Sequence, residues 1–375
     1  MPTDNALRLR PFISLLSHGN PLLLAAAVVA IIIMGGCVRH DEVVPDPSEQ
    51  VISFSVGSVI LKEDVATKST TESFTTNGES FAVFGERVTS SDEHSAVMDN
   101  ISIVHHYAES DDEPPVVTED YWGYETPSSV RYWYWTSMSE RYDFVAVSPA
   151  GKGTVNEHAS GNISVSTHYD YLTGAPAGGD KYDILAATYR RSGSDWEHRF
   201  NRVELSFSHM GSAVAVTVIN NSQSTSVPVN YIQYKNLIVS ADAKVTLDNL
   251  GRSFFRWTNL TPSASAVRKL AKTPVTTIGP GITYTGEYQI MIPQNLSLYG
   301  ATLVLNYSAT ANPEEDVAIP LAGITRADGT AITSWEIGYK YNYYVSMRLD
   351  GGLRVTVTTT PWDEPVEGET PGILI

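Results

Sequence analysis

The sequence predicts an all-β protein, and three observations support that prediction. Apolar and polar residues alternate with a period near two in residues 51–61, VISFSVGSVIL, as in a strand with one buried face. Eleven comparable segments recur along the chain, with turn-forming residues between them. Strands do not alternate with amphipathic helices, so a doubly wound parallel sheet is disfavoured.

The further strand candidates share this alternation or a short apolar run. They are Ser80–Phe84, Ile101–Tyr107, Tyr142–Val147, Asp183–Thr188, Val203–Phe207, Ala213–Ile219, Tyr231–Val239, Tyr288–Ile292, Thr302–Tyr307, Tyr341–Leu349 and Leu353–Thr359. Asp350, Gly351 and Gly352 predict a hairpin between the last two, because glycine reaches positive φ without steric strain. The best helical segment is short, near Ser263–Lys272.

Length and composition predict a folded body of two domains. The chain has 375 residues, of which 42% are hydrophobic and 18% charged, so long disorder is disfavoured. Residues 188–202 are polar and separate two groups of strands of similar length. We therefore place a boundary near Glu197, which gives one β-sandwich domain over residues 51–197 and a second over residues 198–375.

The charge balance and the cysteine content exclude several function classes. Lys and Arg total 25 against 42 Asp and Glu, a net charge of −17, which repels nucleic acid and anionic lipid surfaces. The chain has 1 cysteine, so an intramolecular disulfide and a zinc site built on several thiolates are both excluded.

The N-terminal residues have the layout of an export signal. Pro21–Met34 is an uncharged apolar run of 14 residues that follows Arg8 and Arg10. At about 1.5 Å per residue it would span about 21 Å, short of the roughly 30 Å hydrocarbon core, so a permanent transmembrane helix is the weaker alternative.

The lone cysteine directly follows this segment. Gly35, Gly36 and Cys37 resemble the lipobox of bacterial lipoproteins, which implies a cut after Gly36 and acylation, such as palmitate, on Cys37. A buried free cysteine is the alternative. Residues 1–36 are then a signal peptide, and residues 37–50, charged and containing two prolines, form an extended tether.

The histidines favour structural roles. His105 and His106 are adjacent, so a strand sends their rings to opposite faces and they cannot share a metal ion. His209 has the same parity as Val203 and Leu205, which predicts a hydrogen-bonded core or edge histidine.

Motifs of catalysis and cofactor binding are missing from the sequence. It contains no H-E-x-x-H motif, phosphate-binding loop, dinucleotide fingerprint or G-x-S-x-G elbow. The acidic run Glu109–Glu113 lacks the mid-loop glycine and distal glutamate of a calcium loop, so we interpret it as a solvated loop, with weak calcium binding as the alternative. We expect no enzyme activity, no cofactor and no metal site, although a hydrolase that pairs distant carboxylates stays open.

An aromatic cluster is the most conspicuous side-chain feature. Tyr132, Trp133, Tyr134 and Trp135 are consecutive, and Tyr121, Trp122 and Tyr124 lie just upstream. Exposed aromatic rings stack on sugars, whereas buried rings fill a sandwich core. Trp133 and Trp135 are therefore candidate ligand contacts, with core packing as the favoured alternative, and a surface glycan-binding lipoprotein is the alternative function.

Several weak motifs occur together in a fixed order. They are Cys37, Ala66–Thr70, Phe81–Gly85, Tyr132-Trp133, Tyr142–Ala146, Tyr182–Ala186, Val203–His209, Tyr339–Val345, Leu353–Val357 and Pro361-Trp362. In this order they resemble the fimbrillin family, the subunits of type V pili of Gram-negative anaerobes.

The resemblance implies a fold and an assembly route. It implies two tandem transthyretin-like Greek-key β-sandwich domains, export as a lipoprotein to the outer membrane, and assembly by strand exchange. In the family, a protease with trypsin-like preference cuts after a basic residue behind the first strand, and the groove accepts a strand from another subunit. Lys68 is the candidate processing site, although the family more often has arginine there, and Lys62 lies too close to the strand.

The two ends of the body have different expected roles. Loss of residues 51–61 would expose unpaired backbone groups that a donated strand can satisfy. Only 13 residues follow Trp362, and Pro365 and Pro371 interrupt them, so a donor must come mainly from Leu353–Thr359 or from the last few residues. A tip or minor subunit, or an uncleaved anchor, stays open. The expected partners are other pilus subunits, the outer membrane, and a host or bacterial surface receptor or glycan.

Overall fold

β-strands form the regular structure of the described chain. The computed structural model describes residues 51–56, 78–110, 116–125, 135, 140–157, 162–171, 183–192, 202–263, 268–269, 276–309, 312–347 and 352–362. These residues form 24 strands and no helix, so the all-β prediction is confirmed. Within them, no helix is long and apolar enough to cross a bilayer.

The strands are numbered in chain order. The first ten are β1 (Phe54–Val56), β2 (Ser80–Val88), β3 (His94–Glu109), β4 (Val117–Tyr124), β5 (Arg141–Ser148), β6 (Gly153–Glu157), β7 (Ile163–Asp170), β8 (Leu185–Arg191), β9 (Val203–Leu205) and β10 (Ser208–His209). The next seven are β11 (Ser212–Asn220), β12 (Val227–Lys235), β13 (Leu237–Leu247), β14 (Ser253–Ser263), β15 (Arg268–Lys269), β16 (Thr276–Ile278) and β17 (Thr283–Thr285). The last seven are β18 (Gln289–Met291), β19 (Gln294–Asn295), β20 (Thr302–Ala309), β21 (Asn312–Pro320), β22 (Ser334–Trp335), β23 (Tyr339–Met347) and β24 (Leu353–Pro361).

Four larger sheets organise these strands. One has six strands in the order β10-β8-β5-β2-β3-β4, and another has four in the order β14-β13-β7-β6. The other two have five strands each: β17-β11-β23-β24 with β18 also on β11, and β15-β12-β20-β21 with β16 also on β12. Two small sheets, β1-β9 and β19-β22, complete the described set. Only β1-β9 and β11-β23 pair in parallel among the described strands.

The burial pattern separates one-sided from two-sided sheets. In β13 the side chains of Ala243 and Val245 are buried, whereas the intervening Lys244 faces outward. This alternation is typical of a sheet with one solvated face. In contrast, nearly every residue of β2 and β5 is buried, because both faces of the six-stranded sheet are covered at these two central strands.

Two main hydrophobic clusters lie on opposite faces of the six-stranded sheet. The main core receives Ala82, Phe84 and Val145 from that sheet and continues through most of the C-terminal strands. The opposite cluster, which we call the first-strand core, contains Phe81 and Phe144 together with residues of β1 and β9. The six-stranded sheet is therefore shared by both cores.

Two local sequence predictions are wrong. The segment Tyr231–Val239 is two strands, because Asn236 has a φ of 60° and turns the chain from β12 into β13. Asparagine tolerates this left-handed conformation, and the Asn236 side chain donates a hydrogen bond to the Gly300 carbonyl oxygen at 3.2 Å. The proposed helical segment near Ser263–Lys272 has Ser263 and Arg268–Lys269 in strands.

The domain division at position 197 stays a prediction, as does the tandem transthyretin-like arrangement. All described residues belong to one unit, Pro47–Ile375. Strand pairing crosses position 197, since β7 pairs with β13 and β8 pairs with β10.

Candidate functional site

The first described strand is held by a parallel ladder. β1 pairs in parallel with β9 through Phe54↔Val203, Ser55↔Glu204 and Val56↔Leu205. The Val203 N–H donates to the Ser53 carbonyl oxygen at 2.7 Å. Within the described residues β1 pairs with no other strand. Besides this ladder, the side chains of Ile52 and Phe54 attach the segment to the body.

Those side chains fill an apolar groove. Ile52 is 0% exposed and Phe54 is 1% exposed. The Phe54 ring packs edge-to-face on Phe81 and Phe144, with ring centroids 6.3 Å and 5.7 Å apart. Since both contact rings belong to the six-stranded sheet, β1 covers the face of that sheet opposite the main core.

A tyrosine on the edge strand β4 holds the start of this segment. The Tyr124 hydroxyl donates a hydrogen bond to the Ile52 carbonyl oxygen. Burial raises the pKa of Tyr124 well above its ordinary value, so the hydroxyl remains a neutral donor. β4 therefore contacts β1 through a side chain, and the backbone edge of β1 on that side has no ladder partner in the described set.

The other wall of the groove is the segment that contains β9. Val203, Leu205 and Phe207 are buried, whereas Glu204 and Ser206 are exposed. This alternation is the one the sequence predicts.

The same segment ends at His209, whose predicted role is confirmed. The His209 ring is buried, and its Nδ1 shares a hydrogen bond with the Asp183 carboxylate. The ring also stacks on Trp362, with centroids 4.0 Å apart and an interplanar angle of 7°. Trp362, the last described residue, is therefore held against His209 of β10, which follows β9 in the chain.

The predicted C-terminal hairpin is confirmed. β23 and β24 pair antiparallel through nine residue pairs, from Tyr339↔Pro361 to Met347↔Leu353. Donation of Leu353–Thr359 to another subunit would break most of this ladder. The residues after Trp362 lie outside the described part of the chain.

The aromatic cluster divides into buried and exposed members. Trp135 is 1% exposed and packs edge-to-face on Tyr142, with ring centroids 4.8 Å apart. The Arg191 guanidinium lies 4.7 Å from the centre of the indole. A buried indole cannot stack on a sugar ring, so for Trp135 the structure favours core packing over ligand contact. Tyr121 is 42% exposed.

The adjacent histidines lie on opposite faces of β3, as the sequence predicts. His105 Nε2 lies 3.0 Å from an Asp120 carboxylate oxygen, and its ring stacks on Trp122. The His106 ring stacks on Tyr121 with centroids 4.7 Å apart. Among the residues with described positions, no group of three His, Cys, Asp or Glu could hold a metal ion.

The other sequence-predicted site residues cannot be placed. Gly36, Cys37, Lys68 and Trp133 lie outside the described ranges. Sequence reasoning identified β1 and β9 as strands but missed that they pair with each other and that Tyr124 contacts β1. Since strand periodicity contains no information on partners, no signal in a single sequence would have found these contacts.

The fold and this site define a class: an all-β sandwich protein in which the first described strand of the chain fills an apolar groove. The chain belongs to the fimbrillin-like family, whose family model matches residues 67–362. This is a family of fimbrial and adhesin subunits and not of enzymes. The matched region begins after β1 and ends at Trp362.

Several solved structures match most of the length of the chain. A candidate cell adhesion protein of Bacteroides uniformis has 15% identity and a TM-score of 0.47, covering 78% of this chain and 94% of that chain. A candidate cell adhesion protein of Bacteroides ovatus has 13% identity and a TM-score of 0.46, covering 83% and 96%. The tip fimbrial protein Mfa3 of Porphyromonas gingivalis has 10% identity and a TM-score of 0.38, covering 77% and 96%. No curated protein matches the chain.

Proposed function

We propose that this protein is a fimbrial subunit or adhesin that is exported as a lipoprotein. In this proposal the chain is cut after Gly36, Cys37 is acylated, and residues 37–50 hold the body away from the outer membrane at the cell surface. The sequence around the lone cysteine and the family membership support it.

We further propose that the groove under β1 is an acceptor for a strand from another subunit. One observation supports this most strongly: the side chains of Ile52 and Phe54 are fully buried in the groove, and the described part of β1 pairs with β9 along one edge. Burying one such side chain contributes about 1.5–3 kcal/mol to the binding of this strand. A foreign strand with the same alternation would recover that free energy and satisfy the same Val203 and Leu205 backbone groups.

A single cut would separate β1 from the rest of the body. Lys68 lies in the sequence between β1 and β2, and no other described strand lies between them. Cleavage after Lys68 therefore detaches β1 without interrupting any of the larger sheets.

The C-terminus is better suited to an acceptor subunit than to a donor. β24 is committed to β23 through nine pairs, and the 13 residues after Trp362 are interrupted by two prolines. Proline cannot donate to a ladder, so these residues make a poor donated strand. These features favour a chain that accepts a strand, as a tip or minor subunit, with an uncleaved anchor as the alternative.

Limited proteolysis tests the acceptor role. The full protein in detergent is treated with a trypsin-like protease, and fragment masses and oligomer size are measured with and without a fluorescent peptide of residues 51–61. We expect a cut after Lys68, a body that stays monomeric, and saturable binding of the peptide to the cut protein.

Matched variants make the result specific. Lys68→Gln should block both the cut and the peptide binding, whereas Lys62→Gln should block neither. A peptide in which alanine replaces the phenylalanine at position 54 should bind at least about tenfold more weakly, since it loses a buried aromatic ring. Intact protein after exposure to the protease, or equal binding of both peptides, would contradict the proposed acceptor role.

A further inference from the structure

The outward face of the four-stranded sheet carries a polar cavity that the assembly proposal does not use. Its volume is about 470 Å³, within the roughly 300–1,000 Å³ typical of small-molecule sites. The opposite side of the same strands is packed into the main core through Val165, Ala243 and Val245. The cavity floor is therefore a rigid sheet whose outward side chains have fixed neighbours.

The first row of lining side chains runs straight across all four strands. Thr154 of β6 pairs with Ser166 of β7, Ser166 pairs with Lys244 of β13, and Lys244 pairs with Arg256 of β14. Residues directly opposite each other in a sheet project to the same face, with Cβ atoms about 5 Å apart. Register alone thus places two hydroxyls and two cations side by side.

The second row lies two residues further along each strand. His168 pairs with Asp242, and Asp242 pairs with Thr258. Lys152, two residues before Thr154 in the sequence, lines the same cavity beside this row. The second row thus adds one cation, one imidazole, one hydroxyl and the cavity's carboxylate.

The carboxylate in this row is already engaged by its neighbours. His168 Nδ1 lies 2.7 Å from one Asp242 oxygen, and the Asn259 side-chain amide donates to the other at 2.6 Å. Partial burial alone would raise the pKa of Asp242, but the hydrogen bonds of Asn259 and His168 and the charge of His168 outweigh it and hold that pKa below its ordinary value. Asp242 therefore stays ionised and acts as an internal partner that orders His168 and Asn259.

The charge of the cavity is opposite to that of the chain. The lining residues include three cations, Lys152, Lys244 and Arg256, and one carboxylate, Asp242. The whole chain has a net charge of −17. Such a local excess of positive charge attracts an anionic ligand.

The cavity chemistry indicates which anionic ligand fits. β7 and β13 are each paired on both edges, so a peptide cannot add to them as a strand. The ligand must be contacted by side chains, and hydroxyls and an amide alternate with the cations. That combination suits a molecule with many hydroxyl groups and acidic substituents.

We propose that this face binds an acidic saccharide, with its carboxylate or sulfate groups on Lys244 and Arg256 and its hydroxyls on Thr154, Ser166 and Thr258. The saccharide would contact only the outer face of the β14-β13-β7-β6 sheet. Binding is therefore a property of the single subunit and does not depend on cleavage or strand exchange.

Calorimetric titration of the full protein in detergent tests this assignment. The probes are a sulfated hexasaccharide, an oligogalacturonate hexasaccharide that carries only carboxylates, a neutral hexasaccharide, and an oligoglutamate of matched charge. We expect saturable binding of at least one acidic saccharide, weakened by salt because the contacts are ionic. The two acidic arms distinguish a sulfate ligand from a carboxylate ligand.

Paired variants locate the site. Lys244→Gln with Arg256→Gln should weaken binding at least about tenfold, because charge-assisted hydrogen bonds are lost. Lys235→Gln with Arg354→Gln removes the same two charges from other sheets and should leave affinity unchanged. Lys152 is exposed and lies just before β6. If the double variant does not fold, Lys152→Gln provides the second test and should also weaken binding of the acidic saccharide.

Several results would overturn the proposal. They are no binding of either acidic saccharide, equal binding of the neutral one, or equal affinity for oligoglutamate. An equal loss of affinity in both double variants would also refute it. So would unchanged affinity in both Lys152→Gln and the folded double variant of Lys244 and Arg256.

Discussion

Replacement of Phe54 by alanine tests whether β1 is a removable strand or an ordinary strand of the core. Phe54 is 1% exposed and contacts the Phe81 and Phe144 rings. If β1 is a separable element, Phe54→Ala should release β1 locally and leave the rest of the body folded. If β1 is part of one cooperative core, the same change should lower the stability of the whole protein.

The magnitude follows from the contacts of the ring. A Phe→Ala change in a packed core costs about 3–5 kcal/mol. This range includes the edge-to-face contacts, which are worth about 0.5–1.5 kcal/mol per ring pair. At about 1.4 kcal/mol per factor of ten, the population with β1 undocked should rise at least a hundredfold.

Hydrogen exchange measures this population directly. The Val203 amide donates to the Ser53 carbonyl oxygen, so its exchange reports the docking of β1. In Phe54→Ala it should exchange at least about a hundredfold faster. The Val145 amide, in the middle of β5 between β2 and β8, should keep its rate.

Phe144→Ala is the matched control, because the same core loses the same side chain from a central strand. It should lower the global denaturation midpoint and speed exchange at Val145. A separable β1 is excluded if Phe54→Ala lowers the denaturation midpoint as much as Phe144→Ala and accelerates amide exchange at Val145 and Val203 alike.

Three further predictions concern the anchor, the alkaline limit and one glycine. Cys37→Ser should abolish incorporation of labelled palmitate and release the protein from the membrane fraction, and labelling that persists would contradict the lipid-anchor role. Burial raises the pKa of Tyr341 to about 12, so folding stability from this group is intact below the ordinary tyrosine pKa near 10 and falls as pH rises from about 10 to 12, by about 1.4 kcal/mol per pH unit. Urea titrations across that range should show a smaller decline in Tyr341→Phe, and an unchanged decline would contradict this origin. A Cβ at Gly85 would lie 2.9 Å from the Phe144 ring, so Gly85→Ala should destabilise the protein by about 1–3 kcal/mol in thermal unfolding, and an unchanged midpoint would show that the ring can move.

Period-two patterns predicted the β-strands well where one face is buried. The alternation from Val203 to His209 correctly predicted which side chains are buried, because side-chain direction follows directly from strand geometry. The antiparallel pairing of β23 with β24 was predictable for a similar local reason, since Asp350, Gly351 and Gly352 lie between the two strands in the sequence. The break at Asn236 was missed, although Lys235 and Asn236 interrupt the pattern before the apolar run Leu237–Val239 and asparagine tolerates a positive φ.

Strand partners could not be predicted. The pairing of β1 with β9 joins residues about 150 positions apart, and the row from Thr154 to Arg256 combines four strands from distant parts of the chain. β7 and β14 were not among the strands predicted from the sequence, so the sequence did not indicate the polar cavity on their sheet. Contacts of this kind depend on topology, which single-sequence periodicity does not determine.

The two-faced burial of the six-stranded sheet has a consequence for subunits that exchange a strand. On one face Phe81 and Phe144 pack against β1, but on the other face Ala82, Phe84 and Val145 remain in the main core whether β1 is present or not. Removal of β1 would therefore expose one face of a sheet whose other face stays packed in the main core. Under the proposed strand exchange, an open groove would keep its shape until another strand binds, because the main core holds the sheet that forms it.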